Sequence, residues 1–227
     1  MNPNDLDFFL VYNPIDQKII DKFKSLDIKY SFIFGKQSSK KRRFVSLQEH
    51  KEKIFYNETI LHKLKGDVAN SMQLDYDEYV EVRDSIGVND SGFGIGPHVD
   101  IIENKHINFN KENTKKNKIY NDWNSLDENE KSINFVQMRC NLFIIEPDEG
   151  QHAWVEDKVL EIPRGGYGAA FDSGKLHGTT PGSHKKMTIS LGYLLRRSTF
   201  RELVLKNYKE EHKIYIDEKY MKGQYSN

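Results

Sequence analysis

The chain has 227 residues, enough to bury one sizeable core, and 37% of them are apolar. Lys plus Arg and Asp plus Glu number 34 each, so no global field draws the protein toward nucleic acid or an anionic membrane, and a charged substrate must be recognised locally. The one cysteine, Cys140, excludes an intrachain disulfide and a thiolate metal cluster.

The first apolar run, Phe8 to Tyr12, is five residues long, far short of a signal core or a membrane span. The expectation is a soluble, cytoplasmic protein of one domain over residues 1–227, with neither membrane nor nucleic acid as a partner. Phe8–Tyr12 reads as a strand, Pro14–Ser25 as a helix, Lys29–Phe34 as a second strand, the basic Lys36–Arg43 as a solvated turn, and Asn57–Lys65 as a short helix. From Glu78 the pattern changes to alternation. Tyr79, Glu81 and Arg83 share one face of a strand and Val80 and Val82 the other, the period of a half-buried sheet. Asn104–Ser132 is rich in Asn, Lys and Glu; it reads as a covering segment over a site mouth, with Ser125 capping a short helix through Ser132. Along Phe135–Ile145, Gln137, Arg139 and Asn141 lie opposite Met138, Cys140 and Leu142, and along Lys186–Leu195, Lys186, Thr188 and Ser190 lie opposite Met187, Ile189 and Leu191. Three such strands suggest a sheet whose polar side lines a cavity. Ser198–Glu211 reads as a helix packed outside it.

The chemistry concentrates in His98-Val99-Asp100 and in His177, which follows Asp100 by 77 residues within Lys175-Leu176-His177-Gly178-Thr179-Thr180-Pro181. Two imidazoles and one carboxylate can occupy one face of an octahedral metal and leave the other face to reactants, the facial triad of non-heme Fe(II) oxygenases. An HxD triplet alone is common, so context decides. A strand ending at His98 would turn His98 and Asp100 toward one side of the backbone. Pro163 and Gly165-Gly166 form a tight connection into a small-residue strand, Tyr167–Phe171, that delivers the chain to His177; Gly178 and Pro181 turn it into the last alternating strand.

The order Gly96-Pro97-His98-Val99-Asp100, alternating strand, Ile162-Pro163-Arg164-Gly165-Gly166-Tyr167, Leu176-His177-Gly178, Pro181 and Lys186-Met187-Thr188 resembles the 2-oxoglutarate and Fe(II)-dependent dioxygenase superfamily, particularly its prolyl-hydroxylase-like branch, over roughly residues 78 to 195. The resemblance implies a mainly β fold with flanking helices, a double-stranded β-helix (jelly roll, cupin-like). It implies that His98, Asp100 and His177 hold Fe(II), and that 2-oxoglutarate and O2 are consumed by oxidative decarboxylation coupled to hydroxylation of a small molecule or a protein side chain. Asp100 stands where related halogenases carry a small residue, which implies an oxidising enzyme. The family places Arg or Lys shortly after the last histidine to hold the distal carboxylate of the co-substrate. Lys186, with Thr188 on its face, matches that position, although Arg is the commoner choice. Arg139 is the competing cation, or a grip on substrate, and Asn141 could meet the metal-proximal carboxylate. The alternative is a cupin-like, non-oxidative metal-binding, sugar-binding or isomerase domain, for which Lys186 would have no purpose. His106, His152 and His184 match no position and read as surface or outlying residues; Trp154 packs over the cavity or fills core.

Overall fold

The long alternating runs become the central strands of the larger of two antiparallel sheets. The computed structural model describes residues 1–12, 14–24, 42–46, 58–89, 92, 94–101, 107, 117–146 and 152–222. Among these the strands are β1 (Phe8–Tyr12), β2 (Arg42–Ser46), β3 (Tyr79–Asn89), β4 (Ile95–His98), β5 (Phe135–Ile145), β6 (His152–Val155), β7 (Lys158–Glu161), β8 (Tyr167–Asp172), β9 (His177–Thr179), β10 (Lys186–Arg196) and β11 (Ile214–Ile216). The helices are α1 (Gln17–Lys24), α2 (Glu58–Ser71), α3 (Lys118–Asn124), α4 (Glu128–Asn134) and α5 (Arg197–Asn207).

The large sheet runs β1-β8-β5-β10-β3-β2 and the small one β11-β7-β6-β9-β4. From β3 to β10 the chain crosses repeatedly between them: β3, β5, β8 and β10 in the large sheet, β4, β6, β7 and β9 in the small. That is the double-stranded β-helix, with β1, β2 and β11 added at its margins.

Helices cover the outer face of the large sheet because their apolar stripes match its apolar face. Asp16 starts α1 by accepting the Ile19 N–H at 2.8 Å, and Ile19, Ile20 and Phe23 pack inward. On α2 and just beyond it, Leu64, Val68 and Met72 recur at helical spacing; on α5, Phe200, Leu203 and Val204 do the same. They meet Met138, Cys140, Leu142, Ile189 and Leu191, the faces of β5 and β10 opposite their polar residues.

The alternation of β3 does not carry through. The register between β3 and β10 shifts between Ser190 and Gly192, a bulge, and it reverses which face the two halves of β3 present. Tyr79 and Glu81 therefore face α2: Tyr79 packs edge-on against Tyr193, and Glu81 lies 3.8 Å from Lys65 Nζ. Val80 and Val82 face the interior, and with Phe135 and Leu194 they pack on Ile107, Ile119 and Trp123. The described part of the expected covering segment, Ile107 and residues 117–132, is thus an apolar plug against one end of the interior. It holds two helices where one was expected. Asn117 caps α3 and Asp127 caps α4, each accepting a backbone N–H, whereas Ser125 closes the C-terminus of α3. Lys29–Phe34, and all but Arg42 and Arg43 of the basic turn, lie outside the described residues; those two begin β2. Among the described residues, no helix is long and apolar enough to cross a membrane.

Candidate active site

β4 pairs with β9 so that His98 stands opposite His177, with ring centroids 4.2 Å apart. Asp100, two residues past the end of β4, is held by its backbone N–H, which donates to the Ser173 carbonyl at 2.9 Å. One potential ligand atom from each of His98, Asp100 and His177 lies within 4.8 Å of the others.

Both rings are oriented by backbone carbonyls: His98 Nδ1 lies 2.9 Å from Gly96 O and His177 Nδ1 lies 2.8 Å from Lys175 O. A carbonyl only accepts, so each Nδ1 carries the proton and each Nε2 keeps its lone pair for a metal. Phe171, 4.8 Å from the His177 ring, packs against it. His177 is only 4% exposed, and burial, with His98 beside it, lowers its pKa to about 4, so the ring is neutral at neutral pH. Burial pushes the Asp100 carboxyl up, but the Arg139 guanidinium, with His177 and His98, outweighs it and holds the group below the usual range. Two imidazoles and an anionic carboxylate are the donor types of a divalent transition metal.

Arg139 sits behind the carboxylate. Its Nε is 3.3 Å from Asp100 Oδ2, and its Nη1 donates to the Arg83 carbonyl. To get there the guanidinium passes over Gly192, where a Cβ would lie 2.8 Å from Nη1. The bulge that makes this passage is itself secured: the Gly192 N–H donates to Asp84 Oδ1 at 3.0 Å, and Lys65 Nζ lies 2.9 Å from the same oxygen, with both side chains fully buried.

The other cation faces the same interior from β10. Lys186 is 3% exposed and donates to Thr179 Oγ1 at 2.9 Å. Thr179 lies two residues beyond His177 on the same face of β9, so the Lys186 ammonium is delivered close to the histidines. Thr188 stands over Gly87, with Oγ1 3.5 Å from where a Cβ would be. Asn141 pairs across the sheet with Ser190 and Ala169, and its buried Oδ1 has no hydrogen-bond partner among the described residues.

The triad, Arg139, Asn141, Lys186 and Thr188 thus share one interior. Trp154 does not: opposite Gly178 on the outer face of the small sheet, it is fully buried and stacks on Tyr220. His152 lies 3.4 Å from the Tyr215 hydroxyl and 3.8 Å from Glu161, away from the triad; His184 meets Ser183 at the surface, and His106 is outside the described residues. Thr179 and Gly192 were not anticipated. Period two from His177 would have identified Thr179, whereas Gly192 takes its meaning from a bulge that no local pattern announces.

No protein-family model and no curated protein matches the chain. Several solved structures share its fold. SnoN, a non-heme α-ketoglutarate-dependent epimerase from nogalamycin biosynthesis, is 9% identical at a TM-score of 0.50, over 82% of this chain and 77% of that one. HygX from Streptomyces hygroscopicus, with nickel and 2-oxoglutarate bound, is 8% identical at 0.50, over 82% of both chains. A prolyl hydroxylase from Trichoplax adhaerens is 13% identical at 0.49, over 88% of both chains. The chain is built on the same double-stranded β-helix as SnoN and HygX.

Proposed function

We propose that this chain is a non-heme Fe(II) oxygenase of a single catalytic domain that consumes 2-oxoglutarate and O2 and hydroxylates a small molecule or a protein side chain. The observation that carries this reading is the convergence of His98, Asp100 and His177 with both Nδ1 atoms already committed to carbonyls. Three protein ligands on one side leave positions for a chelating co-substrate. Bound there, Fe(II) supplies Lewis acidity and the redox chemistry that couples O2 reduction to the decarboxylation of 2-oxoglutarate to succinate and CO2.

The chain's own residues bind and orient. His98, His177 and the anionic Asp100 hold the metal. Lys186 anchors the distal carboxylate of 2-oxoglutarate, Thr188 adds a hydroxyl donor beside it, and Asn141 offers its amide to the metal-proximal carboxylate. Arg139 is engaged with Asp100 and the Arg83 carbonyl, which supports Lys186 as the anchor and gives Arg139 the part of a brace for the metal carboxylate. A buried cation at this place also answers the chain's neutral balance: without a global field, a dianion needs a local partner. A cytoplasmic setting, where Fe(II) and 2-oxoglutarate are both at hand, fits the lone buried thiol of Cys140.

Anaerobic addition of Fe(II) and then 2-oxoglutarate is expected to raise the weak visible charge-transfer band of the chelate, and admission of O2 to yield succinate. A panel of metabolites and peptides scored by succinate formation then selects the substrate. A protein that binds the metal but gives neither the band nor succinate is not this enzyme and belongs with the non-oxidative cupins.

A further inference from the structure

The turn between β8 and β9, Ser173 to Leu176, holds two of the three metal-site residues. Its Ser173 carbonyl accepts the Asp100 backbone N–H at 2.9 Å, and its Lys175 carbonyl accepts the His177 ring N–H at 2.8 Å. Backbone bonds hold the ends of the turn, Lys175 N–H to the Asp172 carbonyl at 3.3 Å and Glu156 N–H to the Leu176 carbonyl at 2.7 Å, and further contacts on its two sides fix where those two oxygens stand. On the inner side, the Ser173 N–H and hydroxyl both donate to the Gln137 carbonyl, at 2.9 and 3.0 Å. On the outer side, the Lys175 ammonium reaches Asp7 Oδ2 at 2.7 Å and Glu156 Oε2 at 3.3 Å.

Asp7, only 4% exposed, immediately precedes β1. Its other carboxylate oxygen takes Arg201 of α5 at 2.6 Å, and its backbone carbonyl accepts the Asp172 N–H at 2.9 Å. The buried carboxylate is thus pinned on two sides and gives Lys175 a fixed point. Asp172 is held in turn by Arg197 of α5 at 3.2 Å. Two elements outside the eight-stranded barrel, β1 and α5, therefore brace the turn on which both ligands hang.

We infer that Asp7 and Lys175 are positioning residues for the metal centre: their ion pair sets the Lys175 carbonyl, and with it the tautomer and orientation of the His177 ring, and it steadies the Ser173 carbonyl that holds Asp100. The inference rests on the metal site proposed above. Partners that orient a ligand in this way typically carry 10–100-fold in metal affinity.

The test uses the full chain as wild type, Lys175→Met, Lys175→Arg and Asp7→Asn, with two readouts. In the metal-free protein, the downfield imidazole N–H proton resonance of His177, assigned by its absence in His177→Ala, is expected to be slow to exchange in wild type and Lys175→Arg and to be lost in Lys175→Met. In Co(II) titrations followed by the visible d–d spectrum, Lys175→Met is expected to bind about tenfold more weakly with altered bands, and Lys175→Arg to restore most of the affinity. Asp7→Asn, nearly isosteric, moves both readouts in the same direction as Lys175→Met and serves where the latter folds poorly. A Lys175→Met protein that keeps the resonance and the wild-type Co(II) affinity and spectrum overturns the inference. A wild type whose resonance depends on Lys175 but which takes no Co(II) at the triad overturns the metal reading and supports the brace.

Discussion

The two sheets hold their functional side chains by different means. In the large sheet, β5 and β10 are eleven residues each and pair with one another along almost their whole length, with one register shift between Met187 and Thr188, so the wall carrying Arg139, Asn141, Lys186 and Thr188 is set by long hydrogen-bonded ladders. In the small sheet, β4 and β9 are four and three residues long, and their register is broken between Ile95 and His98. Yet it is this shorter-stranded sheet that carries the proposed metal ligands. The difference teaches that the wall proposed to hold the co-substrate is robust by topology, whereas the geometry of the His98, Asp100 and His177 cluster depends on individual braces: the carbonyls of Gly96, Ser173 and Lys175, and Arg139 reaching across from the large sheet.

The sharpest way to break the comparison is to strip the small sheet of its chemistry. His98→Ala, Asp100→Ala and His177→Ala are each expected to abolish 2-oxoglutarate-dependent succinate formation while leaving the fold, read by circular dichroism, intact; retained turnover in any of them would sink the ligand assignment. The reverse cut is Lys65→Met, which removes the ammonium partner of the buried Asp84 carboxylate behind the large sheet. A loss of about 3–5 kcal/mol in urea unfolding is expected, because removing one partner of a buried pair strands the other charge.

Acid should find the small sheet first. The His177 pKa falls from the ordinary 6.5 to about 4 in the fold, so between those pH values the unfolded chain holds a proton that the folded one does not. Stability from this group is therefore fully present above pH 6.5, is lost as pH falls toward 4, and is constant below; the whole effect is about 3 kcal/mol in the metal-free protein. Urea midpoints measured across this window for wild type and His177→Ala check the sign, since the variant should lack this share of the acid sensitivity. On the wall, Lys186→Met removes a charge-assisted donor of about 1.5–3 kcal/mol, so KM for 2-oxoglutarate is expected to rise about 10–100-fold with Co(II) affinity unchanged. A parallel loss of metal affinity would show that the wall and the triad are not separable. The smallest effect belongs to neither sheet. Gly66 lies inside α2, and beyond the helix's own backbone no atom of the described residues comes within 4 Å of an added Cβ, so Gly66→Ala should stabilise by about 0.5–1 kcal/mol and leave both sites unchanged.

The same contrast explains what could be read in advance. An eleven-residue alternation states its period several times over, and β5 runs from Phe135 to Ile145 as its pattern predicts. The hairpin β6–β7 and the strand β11 have three or four residues apiece and were not anticipated, because so short a run cannot distinguish a period of two from chance. β3 misled for another reason: its alternation is genuine, but the bulge opposite Gly192 turns Tyr79 and Glu81 to the helices and Val80 and Val82 inward. Ser125 looked like a helix start, yet Asp127 with Glu130 forms the reciprocal cap of α4.

The sequence by itself picked out the candidate donor set. His98 and Asp100 are two residues apart and His177 lies in its own turn context, so the order of motifs and the resemblance they carry were enough to pick out three residues that the fold brings together. Only the tertiary structure decided the division between the cations, Arg139 to Asp100 and Lys186 to Thr179. That division depends on the register of β5 against β10 and on the bulge at Gly192, and both are settled by pairing between residues far apart in the chain, where local periodicity carries no information.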